Sequence, residues 1–158
     1  MTLYTIGYEG LDERQFIAHL TRHGVNVVAD VRKLPLSRKK GFSKTALKEM
    51  LKQDNIEYLN FRDLGAPKKL RDELYQTWNY DRFFEKYLKC IEDKQDILEA
   101  IHGLINSGKK ISLLCYERNP EQCHRKVVAE QIKKLDGNGL EIKHIRSGKT
   151  EPAVSCRQ

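Results

Sequence analysis

The sequence predicts an α/β protein with a three-layer, Rossmann-like architecture, in which helices cover both faces of a mostly parallel sheet. Two observations lead to this prediction. Short, apolar, β-branched runs alternate along the chain with longer amphipathic runs of helical period. The run over residues 26–32, NVVADVR, is apolar enough for a strand that is covered on both faces. Strands that are separated by helices imply parallel pairing through right-handed crossovers.

The elements can be placed in chain order. Strands are predicted over residues 3–7, 26–32, 56–61, 110–116 and 141–145. Helices are predicted over residues 12–23, 43–53, 81–92, 94–107 and 120–135. Phe16, Ile17 and Leu20 form the buried face of the first helix, which stops at Gly24, and Ser43 is the expected N-cap of the second. We expect the first, second and fourth strands to be parallel and adjacent.

Length and composition indicate one domain over residues 1–146, followed by a flexible polar tail over residues 147–158. No apolar run approaches the roughly 18 residues of a membrane span. The first ten residues, MTLYTIGYEG, do not resemble a secretory signal, so a cytoplasmic protein without membrane partners is expected. In that reducing compartment Cys90, Cys115, Cys123 and Cys156 should be free thiols. We expect Cys156, in the tail, to be incidental.

The net charge of +7 favours phosphorylated or polyanionic partners. A lysine-rich surface that only keeps the protein soluble would explain the charge equally well.

The stretch CYERNPEQCHR, residues 115–125, concentrates thiols, an imidazole, carboxylates and guanidinium groups. It is compatible with a metal site, a disulfide, or a reactive or anion-binding pocket. Asn119 and Pro120 are typical of a helix start, which places Cys115 near the carboxyl end of a strand. Ligands of α/β sheets bind at that edge, and a helix N-terminus there favours anions.

The helical period turns His124 toward the sheet together with Val128, Ile132 and Leu135, and it places Arg125 on the flank of that face. An inward histidine is either a catalytic group or a hydrogen-bonded core residue. The nearby Glu117 and Arg125 keep both interpretations open.

Spacing argues against a metal. Seven residues separate Cys115 from Cys123, and the chain has no CxxC pair that could complete a four-ligand set. On a helix the adjacent Cys123 and His124 would point about 100° apart. The phosphatase pattern CxxxxxR also fails, because Glu121 stands where the arginine is required. The sequence therefore predicts neither a structural zinc nor a cysteine phosphatase.

The second strand directs further polar groups to the same edge of the sheet. Alternation places Val28, Asp30 and Arg32 on one face, so that a carboxylate lies inside an apolar run and needs a partner such as Arg32, Arg125 or His124. A purely structural role for Asp30 is an equal alternative. The basic loop over residues 34–42 follows at once and adds Arg38.

The motifs TIGYEG, VVADVRKLPLSRKKGF, NFRDLGAP and LLCYERNPEQCHR occur in this order, and with them the chain resembles the family known as domain of unknown function 488. The resemblance covers residues 3–145 and implies a compact α/β domain, without naming a reaction. The positions that recur in the family match Gly7, Asp30, Arg32, Pro35, Ser37, Arg38, Phe42, Leu64, Gly65, Cys115, Glu117, Cys123, His124 and Arg125.

Two departures from the family pattern are visible. Tyr8 and Glu9 stand where His-Ser is common, and LGAP stands where LGG is usual. Either departure would alter the substrate or leave a weaker site, and Tyr8 and Glu9 are included among the expected substrate-binding residues.

The leading hypothesis is an enzyme that acts on a phosphorylated small molecule, a nucleotide or a nucleic-acid end, without a cofactor. The expected anion-binding residues are Arg32, Arg38 and Arg125, with Glu117 or His124 as acid or base, Asp30 as the orienting group, and Cys115 as a candidate nucleophile. Two alternatives come from other classes of function. One is a non-catalytic nucleic-acid or nucleotide-binding module, and the other is a redox-responsive domain that uses Cys115 and Cys123.

Overall fold

A computed structural model describes residues 1–137 and 139–146. The tail predicted over residues 147–158, with Cys156, lies outside the described residues. Within them the chain forms a five-stranded, all-parallel sheet in the order β3-β2-β4-β1-β5. The strands are β1 (Thr2–Gly7), β2 (Val27–Asp30), β3 (Glu57–Asn60), β4 (Ile111–Cys115) and β5 (Glu141–Ile145). The three-layer α/β prediction is confirmed, as is the parallel pairing of β1 and β2 with β4.

Six α-helices connect the strands. They are α1 (Glu13–Arg22), α2 (Lys44–Lys52), α3 (Lys68–Thr77), α4 (Tyr80–Cys90), α5 (Gln95–Asn106) and α6 (Arg125–Asp136). Two short 3-10 turns, Arg62–Leu64 and Pro120–Gln122, precede α3 and α6. The first helix begins with a capping box in which the Asp12 side chain accepts from the Gln15 amide. No helix in the described residues is both long and apolar enough to cross a membrane.

The sheet separates two hydrophobic cores, because successive side chains of a strand point to opposite faces. Val28 and Leu114 pack with Phe16 of α1 and Leu47 of α2. The intervening positions of the same strands pack with α3, α4, α5 and α6, through residues such as Leu74, Tyr87, Leu98, Ile101 and Val128. Four helices thus cover one face and two cover the other.

One predicted helix is wrong at its start. The segment 120–135 is not a continuous helix, because Cys123 is extended (φ −140°, ψ 138°) and separates the 3-10 turn from α6. Asn119 does cap the turn, accepting from the Glu121 amide at 2.9 Å. Leu135 is 36% exposed, so it does not share the buried face of His124 as predicted. Apolar spacing alone does not distinguish a 3-10 turn from a first α-helical turn.

Two further differences concern a helix and a cap. Helix α3 was not predicted. It has few apolar positions, and Leu74 is the one that is buried. Ser43 precedes α2 as predicted, but its side chain makes no cap hydrogen bond. Instead its Oγ accepts from the Ser37 amide and donates to the Ser37 carbonyl, which closes the loop after β2.

Candidate active-site cleft

A cleft of about 250 Å³ lies at the carboxyl edge of the sheet. Parallel strands all end at this edge, so the loops that follow β1, β2 and β4 meet there. These loops contribute Tyr8, Arg32, Lys33, Glu117 and His124 to the wall. Helix α3 closes the opposite side with Arg71, Leu74 and Tyr75.

Two thiols and an imidazole form a buried cluster in this cleft. The sulfur atoms of Cys115 and Cys123 and a ring nitrogen of His124 lie within 4.8 Å of one another. Cys115 Sγ is 3.8 Å from His124 Nδ1 and donates to Glu117 Oε1 at 3.4 Å. All three members of the cluster are buried, and the three of them and Glu117 line the cleft. The four side chains therefore constitute its chemical centre.

The break before α6 is what brings adjacent side chains together. Cys123 is extended and His124 has αR geometry, so the two residues are not neighbours on one helix, and both side chains reach the cluster. The sequence argument against a metal assumed that both residues lie on a helix, and this assumption is wrong. The ring of His124 is held edge-on to Tyr87 at a centroid distance of 5.1 Å.

The cluster perturbs the pKa values of its members. Burial raises the pKa of the Cys123 thiol, but hydrogen bonds to Cys115 and His124 outweigh burial and bring the pKa well below its usual range. The hydrogen bond to Cys123, followed by burial, raises the pKa of Cys115. Burial, followed by the charge of Cys123, raises the pKa of Glu117 to about 7. Of the two thiols, Cys123 is thus the one whose ionisation the surroundings favour.

Asp30 belongs to a separate network on the other face of the sheet. Its register partner in β4 is Leu114, whereas Cys115 is the next residue and points to the opposite face. Arg32 binds both carboxylate oxygens of Asp30, and the hydroxyl of Tyr58 donates to Oδ2 at 2.5 Å. The buried carboxylate is therefore paired as predicted.

Arg32 connects this network to the cleft. Its Nη1 donates to the Phe42 carbonyl at 2.7 Å and to the Tyr8 hydroxyl at 3.3 Å. Its guanidinium also lies over the Tyr8 ring, 5.3 Å from the centroid, and that ring stacks on Phe42. Burial disfavours the charged guanidinium, but the hydrogen bonds to Asp30 raise the pKa of Arg32 overall. Arg32 thus anchors the basic loop after β2.

Arg125 is fully buried and supports the loop after β4. Its guanidinium donates to Thr5 Oγ1 and to the carbonyl oxygens of Glu117 and Arg118. The close approach of this loop requires Gly7, since a Cβ at that position would lie 1.7 Å from the Glu117 carbonyl oxygen. Arg125 and Gly7 together hold Glu117 at the cleft.

The residues predicted for the site thus fall into two groups. Tyr8, Arg32, Cys115, Glu117 and His124 line the cleft. The other four are not among its lining residues in the described chain: Asp30, Arg125, Arg38, which is exposed on its loop, and Glu9, which accepts from the Arg118 amide at 2.9 Å. Asp30 and Arg125 contact lining residues instead: Asp30 binds the Arg32 guanidinium, and Arg125 donates to the Glu117 carbonyl.

The sequence interpretation missed Arg71 and Tyr75 because it missed α3. Their spacing of four residues, around the buried Leu74, is the signal that could have placed both on one face of a helix. It also missed Tyr58, which becomes a partner of Asp30 only once β3 is placed beside β2. Lys33 was passed over between the strand and the basic loop.

The sequence matches one known protein family. The family described as "Domain of unknown function DUF488" matches residues 13–132 of the 158. The chain belongs to the DUF488 family. No curated protein and no solved structure matches it. The DUF488 match begins at the start of α1 and ends within α6, so it contains every residue of the cleft except Tyr8. The cleft is thus almost entirely a feature of the DUF488 region.

Proposed function

We propose that this protein is a cytoplasmic enzyme that acts on a nucleotide, or on a similar phosphorylated molecule with a planar apolar part. One observation carries the proposal. A single cleft combines cations, exposed aromatic rings and a half-buried acid beside two thiols and an imidazole. Enzyme sites commonly have this composition, with a few convergent polar groups and perturbed pKa values in a concave surface.

Two cations are available to a phosphate. Within the part of the chain that the structure describes, Lys33 Nζ and the Nη groups of Arg71 have no hydrogen-bond or ion-pair partner. The Nε of Arg71 donates to the Ala66 carbonyl at 3.2 Å, which orients the free end of its guanidinium. Charge-assisted hydrogen bonds of this kind are the strong ones in phosphate recognition. We assign phosphate binding to Lys33 and Arg71, with Arg32 behind them.

The wall and rim of the cleft are suited to a planar group. Tyr75 is 51% exposed and Tyr116 is 45% exposed, and both line the cleft together with the exposed Leu34 and Leu36. Large apolar side chains grouped around a polar pocket mark a binding surface. A nucleobase that stacks on a tyrosine ring gains about 1–3 kcal/mol, so a nucleotide fits better than inorganic phosphate.

Glu117 is the proton-transferring residue in this proposal. Among the described lining residues it is the one with a carboxyl group, and it lies beside Cys115. Arg125 and Gly7 hold its backbone, so its position is set by buried contacts. A positioned acid or base of this kind contributes about 10²–10⁴-fold to a rate.

The first experiment measures binding through the fluorescence of Trp78, the single tryptophan, which lies 5.6 Å from Tyr75 by ring centroids. Three probes are titrated: a nucleoside monophosphate, the nucleoside alone, and ribose 5-phosphate. The nucleotide should bind more tightly than either fragment. The double substitution Lys33→Gln with Arg71→Gln should weaken nucleotide binding about tenfold or more and leave nucleoside binding unchanged.

The matched control removes two charges at the opposite edge of the sheet. Lys109→Gln with Lys110→Gln lies before β4 and should leave nucleotide affinity unchanged. Glu117→Gln should retain binding but abolish turnover of any nucleotide that the wild type converts. A protein that binds nucleotides without converting any of a broad panel would instead be a binding module. If both double substitutions weakened nucleotide binding equally, the assignment of phosphate binding to Lys33 and Arg71 would be wrong.

A redox-responsive domain is a second candidate, favoured by one observation. The sulfur atoms of Cys115 and Cys123 lie within 4.8 Å of each other. An oxidant such as hydrogen peroxide would take two electrons and two protons from the thiols and form a disulfide. Mass spectrometry after thiol alkylation detects that bond. Its absence after peroxide treatment of the folded protein would exclude this candidate.

A further inference from the structure

We propose that Cys115, Cys123 and His124 form a binding site for a zinc-class divalent metal ion, with an open coordination position that faces the cleft beside Glu117. This inference deepens the proposed function, because the metal would share the proposed substrate cleft. Metal binding can nevertheless be measured without any nucleotide.

The spacing of the donor atoms fits one ion. Three potential ligand atoms, two sulfurs and one ring nitrogen, lie within 4.8 Å of one another, and Cys115 Sγ is 3.8 Å from His124 Nδ1. Bonds of about 2.3 Å to sulfur and about 2.0 Å to nitrogen in a tetrahedron separate neighbouring ligands by roughly 3.5–3.8 Å. Small side-chain rotations are enough to complete the set.

The ring of His124 is already oriented as a metal ligand requires. Its Nε2 is 2.8 Å from the carbonyl oxygen of Val31, which can only accept a hydrogen bond. Nε2 therefore carries a proton, and Nδ1 is the nitrogen that faces Cys115. Metal-binding histidines commonly donate their other ring N–H to a carbonyl in this way, which fixes the ring and its lone pair.

The surroundings of Cys123 also favour ionised sulfur. The Arg125 amide donates to Cys123 Sγ at 3.5 Å, and the buried Arg125 guanidinium adds positive charge nearby. Both interactions stabilise a thiolate, which is the form that binds metal. Two thiolates and an imidazole select zinc over magnesium or calcium, which prefer oxygen ligands.

The fourth position distinguishes this arrangement from a closed structural site. All three donors line the cleft, which gives a metal a path of entry and leaves one side open. Glu117 Oε1 is 3.4 Å from Cys115 Sγ, close enough to approach a group bound at that side. Three protein ligands with one open position are typical of catalytic zinc, which activates a bound water.

The test is elemental analysis of the full-length chain, purified with a phosphine reductant and without chelator. About one equivalent of zinc per chain is expected. Cys115→Ser and Cys123→Ser should each lose most of it. Cys90→Ser, at a half-buried cysteine of α4 outside the cluster, should keep it. Retention of zinc by both cluster variants would overturn the proposal.

A second measurement does not depend on the folding of the variants. Cobalt(II) added to chelator-treated wild-type protein should produce thiolate-to-cobalt charge-transfer bands and tetrahedral d–d bands, which zinc then removes. A wild-type protein that holds no zinc and shows no such bands does not have the site. In that case, selective alkylation of Cys123 at mildly acidic pH would show that the cluster produces a reactive thiolate at Cys123 and does not bind metal. If the cluster variants lose the metal and still bind the nucleotide, the proposed function is unaffected.

Discussion

Single buried residues determine where the chemistry lies. The sequence interpretation of Asp30 was right in one respect: a carboxylate inside an apolar strand needs a partner, and Arg32, one of three candidates, is that partner. Its expected position in the cleft was wrong, because Asp30 lies on the other face of the sheet. Arg125 shows the limit. Its residue type suggested an anion ligand, but carbonyl groups of the loop after β4 occupy its donors. Sequence reveals that an arginine is present, whereas only the fold shows which acceptors surround it.

Gly7 is essential for the same loop. A Cβ there would lie 1.7 Å from the Glu117 carbonyl oxygen and 3.0 Å from Arg125 Nη1, so the loop must move. We expect Gly7→Ala to lower the free energy of unfolding by at least about 3 kcal/mol. Urea denaturation followed by circular dichroism measures the change.

The matched control is Gly103→Ala in α5, where no atom beyond the neighbouring backbone of the helix lies within 4 Å of the added Cβ among the described residues. That substitution should raise the free energy of unfolding by about 0.5–1 kcal/mol, because alanine is the better helix former. If both variants were equally stable, the close approach of the loop to β1 would be incorrect.

The accuracy of the element predictions follows the strength of the periodic signal. The two strands with the clearest signal, β2 and β4, are nearly continuous apolar runs, as expected of parallel strands that are buried on both faces. Helix α3 was missed because its apolar stripe is short: Leu74 is buried, Leu70 is partly buried, and polar residues surround both. The break at Cys123 was missed because it depends on a local backbone conformation that leaves the apolar spacing unchanged.

Helix α3 is attached to the core mainly by Leu74, and it contributes Arg71 and Tyr75 to the cleft. We expect Leu74→Ala to lower the free energy of unfolding by about 2–3 kcal/mol, because it removes a side chain that is only 7% exposed. It should also weaken nucleotide binding, since Arg71 loses its support. Chemical denaturation and the fluorescence titration measure the two effects.

Leu36 provides a matched control, because it also lines the cleft but is 72% exposed. Leu36→Ala should change the free energy of unfolding by less than about 0.5 kcal/mol. Equal destabilisation by the two substitutions would mean that α3 does not pack on the sheet through Leu74.

At the scale of the whole molecule, the net charge of +7 requires a functional explanation. Composition alone could not decide between nucleic acid, a phosphorylated small molecule and simple solubility. Among the described residues that line the cleft, the lysine and arginine side chains are Lys33, Arg71 and Arg32, and Asp30 neutralises Arg32. The cleft therefore offers about two free charges to a ligand.

The dependence of binding on salt distinguishes these partners. The salt concentration is raised from about 50 to about 200 mM. A site with two phosphate contacts should then bind a short single-stranded oligonucleotide about tenfold more weakly or less. A protein that contacts a nucleic-acid backbone through six or more phosphates would lose about a thousandfold in affinity. A 5′-phosphorylated oligonucleotide should also bind more tightly than its 5′-hydroxyl counterpart, since we propose that Lys33 and Arg71 bind one phosphate. Fluorescence anisotropy at several salt concentrations measures both quantities. A thousandfold loss together with equal binding of the two oligonucleotides would contradict the cleft as the binding site and favour a nucleic-acid-binding module.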